Sequence, residues 1–131
     1  MNEKKRIRVA AAVIIRDHKV LACRRSYGEY AGWWEFPGGK IEAGENAEEA
    51  LQREMKEEME IPVQIHSLLM NVQYDYPEFH LDMDCFLCSL PDEHLVLHAH
   101  DALRWLGKDE LHTVRWLPAD ELPLKKLEVL L

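Results

Sequence analysis

Three glutamates, Glu54, Glu57 and Glu58, carry the clearest chemical signal in this chain. A helix advances about 100° per residue, so these carboxylates fall within an arc of about 100° on one side of a helix. That arc overlaps an apolar stripe, which consists of Ala47, Ala50, Leu51, Met55 and Met59. The carboxylates are therefore predicted to lie on a partly buried face, where like charges repel. The pattern predicts a ligand that offsets this repulsion.

A divalent cation is the ligand that suits such a cluster. Mg²⁺ binds carboxylate oxygens and completes its shell with water and substrate phosphates. We therefore predict that Glu54, Glu57 and Glu58 bind Mg²⁺, which Mn²⁺ could replace because it accepts the same oxygen ligands. Arg53 can clamp a nearby carboxylate, for which Glu45 is the candidate. A glutamate-rich helix that only faces solvent is the alternative explanation.

The element that positions these glutamates is predicted to be a helix from Ala47 to Met59. Asn46 can cap its N-terminus, and Glu49 stands three residues later, as in a capping box. Pro62 disfavours continuation of the helix. The irregular segment before it, Tyr27 to Gly39, is rich in glycine and aromatic residues, which is typical of a loop that carries a site.

The remaining elements are predicted from apolar patterning and turn residues. A hairpin joins Ile7–Ile15 to Lys19–Arg24 through Asp17 and His18. Two or three strands are predicted over Val63–Tyr76 and His80–Leu90. Short strands or strand ends are predicted at Leu103–Leu106 and Thr113–Leu117, and a terminal helix at Leu122–Leu131. The chain is predicted to form one α+β domain over residues 1–131.

Composition narrows the function classes. The formal net charge of −8, from 16 basic and 24 acidic residues, argues against binding polymeric DNA or RNA. The longest apolar runs are too short to span a membrane, and we expect no targeting segment before them. An odd count of three cysteines argues against a disulfide framework. We expect a cytoplasmic protein, a monomer or homodimer, that binds a small molecule.

The spacing around the predicted helix resembles the Nudix box. That box reads Gly, five residues, Glu, seven residues, Arg-Glu, an aliphatic residue, one residue, Glu-Glu, one residue, Gly and an aliphatic residue. The matching positions are Gly39, Glu45, Arg53, Glu54, Met55, Glu57, Glu58 and Ile61. Glu60 departs from the box, where Gly favours left-handed backbone. A non-Gly residue there costs about 1 kcal/mol, which we expect to lower local stability and leave the chemistry intact.

The segment from Trp34 to Glu42 also resembles the one that leads into the box in MutT-type members of this family. The resemblance implies an α/β/α sandwich with a mixed β-sheet between helices. It also implies hydrolysis of a nucleoside triphosphate to monophosphate and pyrophosphate with Mg²⁺. Carried over by position, Glu54, Glu57 and Glu58 are the metal ligands, and the Gly38 carbonyl is a further candidate. The residues assigned to catalysis are Arg53, Glu54, Glu57 and Glu58, and those assigned to the substrate are Arg24, Phe36, Gly38, Gly39, Lys40 and Asp120.

The resemblance leaves the general base open. MutT-type relatives often supply a second acidic group from a Glu-His pair, and Ala99 stands at the similar position here. Either Glu57 or Glu58 serves as the base, or His100 or Asp101 substitutes for the missing carboxylate.

The segment Trp116 to Asp120 resembles the one where MutT-type proteins place Asn or Asp against the nucleobase, and Asp120 is the residue carried over. The preference among nucleobases follows from the MutT-like segment Trp34 to Glu42. The implied substrate is 8-oxo-dGTP, and the alternative is CTP, dCTP or a modified cytidine nucleotide. Stacking of aromatic side chains on the nucleobase is a second expectation, for which the candidates are Trp33, Trp34, Phe36 and Tyr74.

A catalytically inactive nucleotide-binding domain is the alternative of another class, and such a domain usually loses a carboxylate of the box.

Overall fold

The hairpin that opens the fold is the predicted one. The structure is a computed structural model that describes residues 4–92 and 94–131. Strand β1 (Lys5–Arg16) turns into β2 (Lys19–Arg25) through Asp17 and His18. Both turn residues have positive φ, 51° and 61°, as a two-residue hairpin with the right-handed twist of its strands requires.

The described chain contains five further strands and two α-helices. The strands are β3 (Trp34–Glu35), β4 (Gly38–Lys40), β5 (Gln64–Asp75), β6 (Phe79–Ser89) and β7 (His100–Gly107), and the helices are α1 (Ala47–Met59) and α2 (Leu124–Leu130). Two short 3-10 helices cover Lys108–Glu110 and Pro118–Glu121. No helix within the described residues is long and apolar enough to cross a membrane.

Strand β1 lies at the centre of a mixed sheet. It runs parallel to β6 and antiparallel to β4, while β5 covers the far edge of β6. Beyond the hairpin, β2 pairs with β3 and β7. Because β1 is long, its middle residues pair with Gly38 and Gly39 of β4 and its last residues pair with β2. The strand thus connects the two parts of the sheet.

Alternation along β1 gives the sheet two buried faces. Ala10, Ala12 and Ile14 pack in the core under α1. Ala11 and Val13 face the opposite core, which contains Leu124 and Leu127 of α2. The predicted α/β/α sandwich with a mixed sheet is therefore confirmed.

Helix α1 begins and ends where the sequence predicts. The Glu49 N–H donates to the Asn46 side chain at 2.8 Å, and the Asn46 N–H donates to the Glu49 carboxylate at 3.0 Å. At the other end, Glu60 has left-handed backbone, with φ 55° and ψ 33°. The chain therefore adopts at Glu60 the conformation that the box normally gives to glycine.

Four segments differ from the sequence expectation. Thr113–Leu117 forms no strand, and Trp116 alone bridges to Trp34. Helix α2 is shorter than predicted because Pro123 stands before its first turn. The predicted loop Tyr27–Gly39 contains β3 and the start of β4, and β7 extends beyond Leu103–Leu106.

Candidate active site

One cavity of about 530 Å³ collects most of the predicted site residues. Its acidic end contains Glu54 and Glu58 from α1, and its apolar end contains Asp120 from the second 3-10 helix. The remaining predicted residues that line it are Phe36, Gly38, Gly39 and Lys40. These residues come from three separate parts of the sequence. They are brought together by the pairing of β4 with β1, the packing of Gly39 against Glu54 and the bridge between Trp116 and Trp34.

Two glycines make the acidic end possible. Gly38 has φ 151°, and a Cβ there would overlap the Ala10 carbonyl oxygen of the paired strand. A Cβ on Gly39 would overlap the Glu54 carboxylate. The glycine pair therefore allows β4 to lie close to both β1 and α1. This packing places the Glu54 carboxylate directly against the backbone of β4.

Arg53 organises the acidic face of α1. Its guanidinium forms a bidentate pair with Glu45, at 2.7 Å and 3.0 Å, and donates to the Lys40 carbonyl at 3.0 Å. It also donates to Glu54 at 2.9 Å and to Glu57 at 3.3 Å. The Arg53–Glu45 contact that the sequence suggested is present, and it holds the preceding loop against the helix.

The three predicted metal ligands have different environments. The Glu57 side chain is 60% exposed, whereas Glu58 is half-buried and its Oε2 is buried without a hydrogen-bond partner. Burial and the charges of Glu54 and Glu35 raise the pKa of Glu58 to about 8. An unpartnered carboxylate oxygen beside a second carboxylate is a position that a cation would stabilise. The acidic end therefore fits a divalent cation.

The ligands are not arranged in advance as a closed metal site. Among residues 4–92 and 94–131, no group of three or more His, Cys, Asp or Glu side chains is arranged to hold a metal ion. The ion pairs of Arg53 with Glu54 and Glu57 explain this, because they direct both carboxylates toward the guanidinium. Binding of a cation would require these side chains to reorient.

The structure places Arg25 at the cavity, and Arg24 is not among the residues that line it. Arg24 pairs with Asp101 at 2.6 Å on the surface. The pairing of β2 with β7 shifts register between these two arginines. Alternation along the strand therefore could not identify which arginine faces the cavity.

Arg25 belongs to a network that sequence reasoning missed. Its guanidinium donates to Glu35 at 2.7 Å and 3.2 Å, and Nε2 of the buried His100 lies 3.0 Å from the same carboxylate. Burial opposes ionisation of Glu35, but the hydrogen bonds from His100 and Arg25 hold its pKa below the usual value. Glu35 is therefore a charged group in the middle of the cavity wall.

The apolar end surrounds a single buried carboxyl. Asp120 accepts a hydrogen bond from the Phe36 N–H at 2.9 Å. Burial and the charge of Glu35 raise the pKa of Asp120 to about 8. The aromatic residues that line the cavity are Tyr27, Tyr30, Phe36, Tyr76 and Phe79. Phe36 is thus the one predicted stacking residue in this wall, since Trp33, Trp34 and Tyr74 are not among the described residues that line it.

The two residues considered as substitutes for the missing carboxylate lie elsewhere. His100 is held by Glu35 and Asp101 by Arg24. Neither is among the residues that line the cavity, whereas Ala99 is. A longer side chain at position 99 would begin at the cavity wall.

Comparisons with known proteins agree with this arrangement. A family model described as NUDIX domain matches residues 5–130. An 8-oxo-dGTP diphosphatase from Proteus vulgaris is 42% identical over 91 residues, which cover 68% of this chain and 81% of that protein. A CTP pyrophosphohydrolase from Escherichia coli is 36% identical over 119 residues, which cover 88% of this chain and 87% of that protein. The crystal structure of a MutT NUDIX hydrolase from Burkholderia pseudomallei superimposes with a TM-score of 0.83 at 27% identity and covers 93% of this chain and 98% of its own.

Proposed function

The chain belongs to the Nudix family as a MutT-type hydrolase, and we propose that it hydrolyses nucleoside triphosphates to monophosphate and pyrophosphate with Mg²⁺, with 8-oxo-dGTP as its preferred substrate. One observation carries this proposal. A single cavity joins a cluster of carboxylates at one end to an aromatic, apolar end with one buried carboxyl. The carboxylate end suits a triphosphate with its cation, and the aromatic, apolar end suits a nucleobase.

Nudix hydrolases generally use divalent cations, and the acidic end fits one. Glu54, Glu57 and Glu58 would hold it, with the Gly38 carbonyl as a further ligand. When bound, Mg²⁺ neutralises charge on the phosphate oxygens and acidifies water. Mn²⁺ is a substitute, because it takes the same oxygen ligands.

The chain's own residues orient the substrate around this end. Arg25 and Lys40 line the cavity next to the carboxylates and supply positive charge for the phosphates. Arg53 pairs with Glu54 and Glu57, and its pair with Glu45 holds the loop before the helix. Glu57 and Glu58 are the candidates for the general base, because His100 and Asp101 are held by other partners.

Asp120 and Phe36 hold the base at the apolar end. With a pKa of about 8, Asp120 is mostly protonated at neutral pH. A protonated carboxyl donates one hydrogen bond and accepts others, so it can pair with a base edge that presents both a donor and an acceptor. Guanine, oxidised guanine and cytosine all present such an edge.

CTP is the second candidate substrate. The match to the CTP pyrophosphohydrolase extends over 88% of this chain, whereas the match to the 8-oxo-dGTP diphosphatase extends over 68%. The substrate in either case is a free nucleotide, since the net charge of −8 disfavours a nucleic-acid polymer. We propose that the enzyme acts in the cytoplasm as a monomer or homodimer.

The test is a panel of nucleoside triphosphates, with kcat/KM measured for 8-oxo-dGTP, dGTP, CTP and dCTP. We expect pyrophosphate release with Mg²⁺, no release with EDTA, and the highest kcat/KM for 8-oxo-dGTP. A higher value for CTP would favour the second candidate. Predominant release of single phosphate would refute the reaction type, and no release with any nucleotide would favour an inactive binding domain.

A further inference from the structure

The residues that lead into β7 cross the C-terminal end of α1 and contact it through their backbone. The Val96 N–H donates to the Met59 carbonyl at 3.3 Å, and the His98 N–H donates to the Glu58 carbonyl at 3.1 Å. Carbonyls in the last turn of a helix have no partner within the helix. These N–H groups therefore complete the end of the helix that carries Glu58.

Glu60 adds a side-chain contact to the same junction. Its Oε2 lies 2.6 Å from His98 Nε2. A glycine at position 60 would relax the left-handed backbone but could not make this contact. The departure from the Nudix box therefore combines a strained backbone with a contact that only a side chain can provide.

Ala99 connects this junction to the cavity. It lines the cavity wall, and its carbonyl accepts a hydrogen bond from the Ser26 hydroxyl at 3.0 Å. Residues 96–99, the crossing segment, are thus held by the end of α1 on one side and by the loop after β2 on the other. A shift of the crossing segment would move the wall at Ala99 relative to Glu58.

We propose that Glu60 and His98 are positioning residues that hold the crossing segment against α1 and so fix the spacing between Ala99 and Glu58. This proposal rests on the proposed function, because that spacing affects turnover only if Glu58 acts at the phosphates. The side chains of His98 and Glu60 are 52% and 57% exposed, so solvent screens their contact. We expect its loss to lower kcat about twofold to fivefold.

Glu60→Gly separates a positioning role from a stabilising role. It should lower kcat without lowering the melting temperature. The variant relaxes the backbone, so we expect its melting temperature to be unchanged or higher. It also removes the contact, so we expect kcat for 8-oxo-dGTP to fall about twofold to fivefold with little change in KM. Amide hydrogen exchange at Val96 and His98, measured without metal or nucleotide, should become faster.

Two further variants serve as controls. His98→Ala should lower kcat as much as Glu60→Gly does, and the double variant should lose no more than either single one. Glu60→Gln keeps an acceptor oxygen for His98 and should retain most of the parent kcat. A purely structural role would not produce lower turnover together with unchanged or higher thermal stability.

Amide exchange in Glu60→Gly at the parent rate would overturn the proposal, as would additive losses in the double variant. An unchanged kcat in Glu60→Gly, with an active parent, would also overturn it. Faster exchange in Glu60→Gly than in the parent, combined with a parent that hydrolyses no nucleotide, would support the contact and refute the proposed function, so the two failures are distinguishable.

Discussion

The two ends of the cavity each contain a carboxyl whose pKa is raised to about 8, but the two carboxyls have different surroundings. Glu58 lies near Glu54, and its Oε2 has no hydrogen-bond partner. Asp120 accepts a hydrogen bond from the Phe36 N–H and lies at the aromatic, apolar end. The same shift in pKa therefore arises in two different environments.

The difference indicates how each end is neutralised. At the acidic end, several carboxylates share a region with an unpartnered oxygen, so a divalent cation can relieve the repulsion. At the apolar end, one carboxyl that is already hydrogen-bonded takes up a proton instead. A raised pKa alone does not identify a catalytic group, and the neighbouring oxygens decide what the carboxyl can bind.

The largest effect is expected at the acidic end. The double substitution Glu57→Gln and Glu58→Gln should lower kcat for every nucleotide about 10²- to 10³-fold, because the cation loses two ligands. Steady-state kinetics and Mg²⁺ titration by calorimetry measure this. Lys56→Gln on the exposed side of the same helix is the matched control. Intact Mg²⁺ affinity and turnover in the double variant would disprove the assignment of this end.

The next largest effect is expected on KM, and it distinguishes Arg25 from its neighbour Arg24. Arg25→Ala should raise KM about 10- to 100-fold, because a charge-assisted hydrogen bond to a phosphate is lost. Arg24→Ala should change KM less than about twofold, since its ion pair with Asp101 lies at the surface. The reverse order of effects would show that Arg24 contacts the substrate.

These two arginines also mark the limit of what the sequence could predict. The hairpin, the capping box and the extent of α1 follow from local patterns, and the structure has all three. The choice between Arg24 and Arg25 depends on a register shift against β7, which lies more than 70 residues away in the chain. No local pattern encodes that shift.

Long-range packing explains the other residues that the sequence did not identify. Glu35 and His100 become partners only because β3 and β7 both pair with β2. Asp120 reaches the cavity because Trp116 bridges to Trp34, which brings the second 3-10 helix to the N–H of Phe36. The resemblance to MutT-type proteins pointed to Asp120, whereas composition and spacing alone did not.

Ala99→Glu tests whether the acidic end lacks a carboxylate. The new side chain would start at the cavity wall and could act as a base, so we expect turnover to rise about tenfold. Ala99→Gln is the matched control, because it has the same length without the charge. Equal turnover in both variants would show that a base at this position adds nothing to the reaction.

Asp120→Asn tests the apolar end. The amide keeps an acceptor for the Phe36 N–H but cannot exchange a proton, so it presents a different edge to the base. We expect the ratio of kcat/KM for 8-oxo-dGTP to that for CTP to change about tenfold. Assays with both nucleotides measure this ratio. Equal losses for the two nucleotides would mean that Asp120 does not discriminate between bases.

The smallest effect concerns stability, and it distinguishes the proton at one end from the cation at the other. The folded pKa of Asp120, about 8, lies above its unfolded value, so its stabilising contribution is complete below about pH 4 and is lost as pH rises to about 8. Asp120→Asn should remove this part of the pH dependence of the free energy of unfolding and keep the stabilisation by Mg²⁺. The Glu57 and Glu58 double variant should lose the stabilisation by Mg²⁺ together with the similar pH dependence that Glu58 contributes, and keep the Asp120 contribution. Urea unfolding from pH 5 to pH 9, with Mg²⁺ and with EDTA, measures both quantities. Loss of the stabilisation by Mg²⁺ in Asp120→Asn would show that the two ends are not independent.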